Sequence, residues 1–239
     1  MRESKSNPLA AGLFGFGLLL ALLLVVVSFW PDMEARMFDP GLTAEARLTA
    51  LRCPMVVTPA DDAQIRVTFR NTLDDRDLRL FVVARISEGR ITTMRQSNTQ
   101  LRLAPGERET LTWDIAPEDA VYGRVIMARV HQFRSFPFPS RERSCGVLFV
   151  NTPWLTGGQL VWLLGGLTLL SLGGGAGLWL RQRPFDEAQR KKMLGMGLAT
   201  AVLFIAFLAG LLGAWLVSLG LLIGVLLLAV SSLEGWSQR

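Results

Sequence analysis

The sequence predicts an α + β membrane protein: four transmembrane helices, with an antiparallel β-sandwich inserted between helices 1 and 2 and held outside the cytoplasm. Three observations carry that prediction. Half of the 239 residues are hydrophobic, but the apolar residues concentrate at 9–30 and 153–233. Residues 31–152 between them have the composition of a soluble domain and show period-two alternation. Basic residues collect beside the apolar runs.

The charge pattern removes one function class. A formal charge of +5 invites a nucleic-acid reading, but residues 31–153 hold 17 Arg against 16 Asp and Glu. The flanks hold eight Lys and Arg against four Asp and Glu, within residues 1–8, 181–192 and 233–239. A nucleic-acid surface needs its excess on the folded domain. An excess next to membrane spans is the positive-inside pattern. No nucleic-acid partner is expected.

The first span is the uncharged run at 9–29, about the 20 residues that cross a hydrocarbon core. A cleaved signal peptide would have a shorter apolar region and small residues before the cut. This run is long and ends Ser28-Phe29-Trp30-Pro31, which favours an uncleaved anchor, with residues 1–30 as cytoplasmic tip and helix 1. Residues 31–52 read as a helical linker, with Thr43 a cap before Ala44–Leu48. The second span is 155–180, followed by Arg181, Arg183, Arg190, Lys191 and Lys192. Residues 193–233 are too long for one helix, and Gly210–Gly213 with Trp215 marks a tight turn between the third and fourth spans.

Residues 153–236 are thus a three-helix region with a basic cytoplasmic loop at 181–192. Both termini fall inside, and 31–153 fall outside. Trp30, Trp154 and Trp215 sit at the expected outer edges, and Trp179 and Trp236 at the inner ones, as aromatic belts require.

No ionisable residue lies within a span. Ion paths and proton relays normally need one, so a pump or ion-coupled transporter is disfavoured. Gln159 reads as an interfacial side chain. Gly158, Gly165, Gly166, Gly173 and Gly177 in span two, and Gly220 and Gly224 in span four, suit close helix packing. The partner helix belongs either to this chain or to another subunit.

In residues 53–152, alternating runs predict strands at 53–58, 63–71, 77–87, 91–103, 108–115, 122–132 and 145–150. The segment Glu118-Asp119-Ala120-Val121-Tyr122 resembles the tyrosine corner of immunoglobulin-like domains. The stretch Leu103–Glu107 followed by Leu111-Thr112-Trp113 is similar to a turn of bacterial immunoglobulin- or fibronectin-like ectodomains. The resemblance implies an immunoglobulin-like β-sandwich and no particular activity. Arg124 stands where such domains often carry the second cysteine of an inter-sheet disulfide.

Cys53 and Cys145 bracket the domain. An isolated pair in an oxidising compartment most simply forms a disulfide. The last strand must run toward the membrane, and counting back, so must the first. Both cysteines are then expected at strand starts far from the membrane, with the 71–77, 104–107 and 133–144 loops at the same tip. Phe133, Arg134, Phe136, Phe138, Arg141 and Arg143 in the last loop are partner-binding candidates, because aromatic and Arg residues are enriched at binding hot spots. The alternative is that two of the phenylalanines cap the core.

No catalytic constellation stands out. His131 has no Cys, His or Asp cluster in sequence reach. Asp74, Asp75 and Asp77 could hold Ca²⁺, but Arg76 interrupts them and a solvated turn is expected. No cofactor, metal or small-molecule substrate is implied. The expected function is a non-enzymatic, membrane-anchored accessory subunit of a prokaryotic envelope. Its partners are membrane lipid and other membrane or envelope proteins. Two alternatives stay open. One is a transmembrane component of an ABC-type transport or mechanotransmission system, on topological resemblance. The other is an envelope enzyme with an unrecognised site.

Overall fold

The computed structural model describes residues 8–37, 44, 46–134, 138–181 and 187–237. The chain divides into two compact units, Met1–Phe29 with Val161–Arg239, and Trp30–Leu160.

The first unit is helical. Helix α1 spans Pro8–Met37, α2 Gly157–Leu180, α3 Glu187–Leu211 and α4 Trp215–Ser237; α1 and α2 each run past the unit boundary. Among the described residues, three helices are long and apolar enough to cross a membrane by length and composition: α1, α2 and the Met193–Leu211 part of α3. Among the described residues, the apolar part of α4 is the shorter stretch Trp215–Leu227.

The turn between α3 and α4 falls where the glycines predict it. Gly213 has φ +69°, its N–H donates to the Gly210 carbonyl at 2.8 Å, and the Ala214 N–H reaches back to Ala209 at 2.9 Å. This is a Schellman ending, and the left-handed residue suits a glycine.

Helix α2 packs on α1 through a stripe that the glycine doublets do not predict. Thr168, Ser171 and Gly175 are buried, and Trp179 lies 5.4 Å from Phe14, ring to ring. These positions recur at three and four residues, one helical face. A Cβ at Gly175 would sit 2.8 Å from the Phe14 backbone nitrogen, and one at Gly17 2.9 Å from that of Leu172. At Gly158, Gly165, Gly166, Gly173, Gly177, Gly220 and Gly224 an added Cβ meets nothing within 4 Å. Among the described residues, none of these expected helix-packing glycines is in close contact with another part of the chain. The close approach belongs to Gly17, Gly174, Gly175 and Gly210.

The second unit is a two-layer β domain. One sheet orders its strands β1-β9-β8-β5-β6 with β3 also paired to β9; the other orders β2-β4-β7. The strands are β1 Ala46–Arg47, β2 Leu51–Arg52, β3 Val56–Val57, β4 Gln64–Arg70, β5 Leu78–Glu88, β6 Arg90–Leu103, β7 Arg108–Asp114, β8 Val125–Arg134 and β9 Arg141–Phe149. Alternate residues fill one core: Ile65, Val67 and Phe69 from β4 meet Leu80, Val82, Ile126, Val130 and Val147. This is the burial that period-two patterning produces. Between β6 and β7, Pro105-Gly106 makes the expected turn, with Gly106 at φ +78° and Glu107 N–H bonded to the Ala104 carbonyl.

Besides the place of the disulfide, three features depart from expectation. Residues 46–52 form strands β1 and β2 where helix is expected, and helix α1 instead continues to Met37. The backbone groups of this segment pair with β9 and β4, which outweighs a weak local helix preference; Thr43 lies outside the described residues. Strand β9 begins at Arg141, four residues before Cys145. The run Arg141-Glu142-Arg143-Ser144 has no apolar alternation to announce a strand. Tyr122 forms no tyrosine corner. It sits at φ +53° in a turn closed by Arg124 N–H to the Val121 carbonyl, and its side chain is 77% exposed.

The disulfide joins Cys53 and Cys145. Parallel pairing of Val56 with Leu148 gives the first and last strands the same direction, as expected. Cys145 faces Ala128 in mid-strand, so the tie lies along the sheet and not at its tip.

Candidate functional site

The five-strand path presents an outer face whose rungs follow from register. At the free corner Arg79 of β5 faces Arg102 of β6. The next rung is Gln100, Phe81 and Phe133; then come Asn98, Val83, His131 and Glu142, and below them Gln96, Arg85, Arg129 and Ser144.

The upper two rungs are open. Phe81 and Phe133 are 37% and 36% exposed, with their rings 6.1 Å apart and tilted. Arg102 Nε donates to Asp77 Oδ2 at 2.7 Å. Arg79 makes no ion pair among the described residues. Together they border a groove of about 620 Å³ that Arg134 also lines.

On the lower rungs Val83, His131 and Arg129 are buried, Arg85, Glu142 and Ser144 are half-buried, and Gln96 and Asn98 on the edge strand β6 are exposed. Arg129 Nη2 donates to Glu142 Oε1 at 2.8 Å. His131 is 3% exposed, stacks on Phe133 at 4.1 Å, and has Nδ1 3.5 Å from Glu142 Oε2. Neither imidazole nitrogen has a hydrogen-bond partner among the described residues. Burial pushes the His131 pKa below its usual value; Glu142 pulls it up, and Arg129 and Arg85 add to the depression. Desolvation disfavours the charged imidazole and prevails over one carboxylate at this separation.

The six candidate residues of the last loop are not one surface. Phe133 lies on the outer face with Phe81. Arg134 faces Leu80 on the opposite side, where its Nε donates at 2.9 Å to the Gln132 amide oxygen once that amide is turned toward it. Arg141 is opposite Gln132, on that same side. Arg143 Nη1 reaches the Thr49 carbonyl at 3.4 Å, a structural role. Phe138 is half-buried, and Phe136 lies outside the described residues. Arg79, Phe81 and Arg102 are the partners that loop composition misses. Each sits at a strand position whose alternation directs it outward, and the signal was a large apolar residue, Phe81, on the polar phase of β5.

Two carboxylates fasten helix ends to this domain. The Gly146 N–H, between the ladders to β1 and β3, donates to Asp32 Oδ1 of α1 at 2.9 Å. A side chain at Gly146 would overlap the Pro31 carbonyl. Asp61 Oδ2 accepts the Gly157 N–H at 2.8 Å and the Thr58 N–H at 2.8 Å. A carboxylate at the start of α2 meets unpaired donors and the positive end of the helix dipole. Thr156 and Gln159 complete a reciprocal capping box at 3.0 and 3.3 Å, so Gln159 is a helix cap.

Asp75 and Asp77 are paired with Arg76 and Arg102. No group of three His, Cys, Asp or Glu suited to a metal occurs among the described residues.

No family model and no curated protein matches the chain. Among solved structures it is similar to a Bacteroides uniformis β-glucuronidase at 14% identity and TM-score 0.29, covering 41% of this chain and 12% of that one. It is likewise similar to a Kluyveromyces marxianus β-glucosidase at 16% identity and TM-score 0.21, covering 41% and 15%. The chain thus spans a small fraction of either enzyme, and a likeness this slight bears on neither fold nor activity.

Proposed function

We propose that this chain is a non-enzymatic, membrane-anchored interaction subunit that holds an immunoglobulin-like β-sandwich outside the cytoplasm for a protein partner. The observation that carries the reading is the open patch of Arg79, Arg102, Phe81 and Phe133, because exposed aromatic and Arg side chains grouped together are what binding hot spots use. The membrane placement is supported by the three long apolar helices. Trp162, Leu169 and Leu170 are 83%, 71% and 74% exposed on α2, which suits lipid better than water. Charge asymmetry supports cytoplasmic termini. The division of strands into β2-β4-β7 and β9-β8-β5-β6 supports the immunoglobulin-like reading.

A second reading, a mechanotransmission or ABC-type transport component, draws on the two helix fastenings at Asp32 and Asp61. Helix ends so tied would pass motion into the domain.

The test is mild solubilisation of native membranes after cross-linking, followed by native mass analysis. The expected result is a stoichiometric complex cross-linked through the β5-β6-β8 face. A lone monomer with no recovered partner overturns the proposal, and an ATPase subunit as the partner favours the second reading.

A further inference from the structure

We propose that the free corner of the larger sheet docks an extended segment of a partner protein carrying a carboxylate side chain at one position and an aromatic or branched aliphatic side chain two residues on. This rests on the interaction-subunit reading and names its partner's chemistry.

The arginine rung comes first. Arg79 and Arg102 stand directly opposite each other across β5 and β6. Like charges in that relation destabilise a sheet. Asp77 answers Arg102 at 2.7 Å, while Arg79 is left without an ion pair among the described residues. A carboxylate placed over this rung gains guanidinium hydrogen bonds, which in fork geometry are among the stronger polar contacts. A basic segment would be repelled there.

The aromatic rung sets the spacing. Phe81 and Phe133 lie two residues along the strands from the arginine rung. Side chains on one face of an extended peptide repeat every two residues, about 6.8 Å apart. A segment lying along the strands therefore places an acidic residue over Arg79 and Arg102 and residue i+2 over the exposed Phe pair. Gln100, on the aromatic rung, offers an amide to the peptide backbone. The groove, about 620 Å³, is in the size range of sites that hold a few side chains.

The experiment uses the full chain in detergent micelles and a fluorescein-labelled probe, Glu-Ser-Phe-Ser repeated twice, read by fluorescence anisotropy. Compared with it are a probe with Gln for Glu, and a probe of the same composition with Glu directly beside Phe. Binding at least about tenfold tighter for the first probe, weakened about tenfold by R79Q/R102Q and by F81S but not by R124Q, supports the proposal; tenfold is about 1.4 kcal/mol. A thermal midpoint unchanged in R79Q/R102Q shows that the variant is folded. If the midpoint falls, R79K/R102K replaces it, and the same weakening is expected because lysine keeps the charge and loses the fork. Equal binding of the Gln probe, wild-type affinity in the arginine variants, no binding of any probe, or displacement by inorganic phosphate overturns it. If these tests fail while a stoichiometric partner still purifies with the chain, the docking site falls and the interaction-subunit reading stands. If no partner is recovered from native membranes, that reading falls as well.

Discussion

His131 shows how burial and charge compete in this domain. It is buried beside Glu142, Arg129 and Arg85, and its pKa is lowered. The folded domain therefore holds its neutral form more firmly than the unfolded chain does. Between the ordinary value of about 6.5 and the depressed folded value, the unfolded state binds the proton and the folded state does not. Stability contributed this way is complete above the unfolded pKa and declines as pH falls below it. His131→Leu removes the titrating group. The stability difference, wild type minus variant, is expected to drop as pH is lowered from 7.5 to 5, measured by thermal unfolding of both proteins in matched detergent. A difference that stays flat or rises on acidification contradicts the account. No sequence spacing announced this residue, because Glu142 and Arg85 reach it through strand pairing from 11 and 46 positions away.

At the scale of elements, glycine position separates close approach from mere composition. Gly175 faces Phe14 at van der Waals limit, and Gly173, two residues earlier, faces open space. Two residues turn a helix by roughly 200°, so neighbouring glycines in one sequence cluster have opposite roles. Gly175→Leu is expected to lower the thermal midpoint through overpacking of about 1–3 kcal/mol. Gly173→Leu is expected to leave it unchanged or raise it. Thermal unfolding of the two variants in the same detergent checks this, and equal effects would refute the assigned face.

The same geometry explains what the sequence made legible. Strand β4 was visible because Ile65, Val67 and Phe69 alternate with exposed Arg66, Thr68 and Arg70, and β5 because Leu78 and Leu80 flank exposed Arg79; β8, buried on both faces from Val125 to Gln132, has no such alternation. The α3–α4 turn was visible because Gly213 needs a left-handed backbone. Strands β1 and β2 were not, since two-residue strands have no period to read. The Arg79–Phe81 patch was not visible as a site because its members come from three strands and meet only through register.

For the whole molecule, the tie between Cys53 and Cys145 closes a 92-residue separation at a particular weak place. Cys53 lies between β2, which pairs with β4 in the smaller sheet, and β3, which pairs with β9 in the larger one. The chain crosses between layers there, and each flanking strand is two residues long. So few ladder bonds hold a crossing segment weakly, and local opening should begin there. Cross-linking a loop of this size contributes about 4–5 kcal/mol in the chain-entropy model. The double variant C53S/C145S is therefore expected to lose about 2–5 kcal/mol, and to gain amide exchange first at residues 46–58 and 141–149. Exchange at Ile126, Val130 and the β5 core should rise only with global unfolding. Hydrogen exchange with peptide-level mass readout distinguishes the outcomes. A uniform rise across all strands would mean that the disulfide acts on the unfolded chain alone, and a rise confined to 46–58 and 141–149 would locate its work at the crossing between the two sheets.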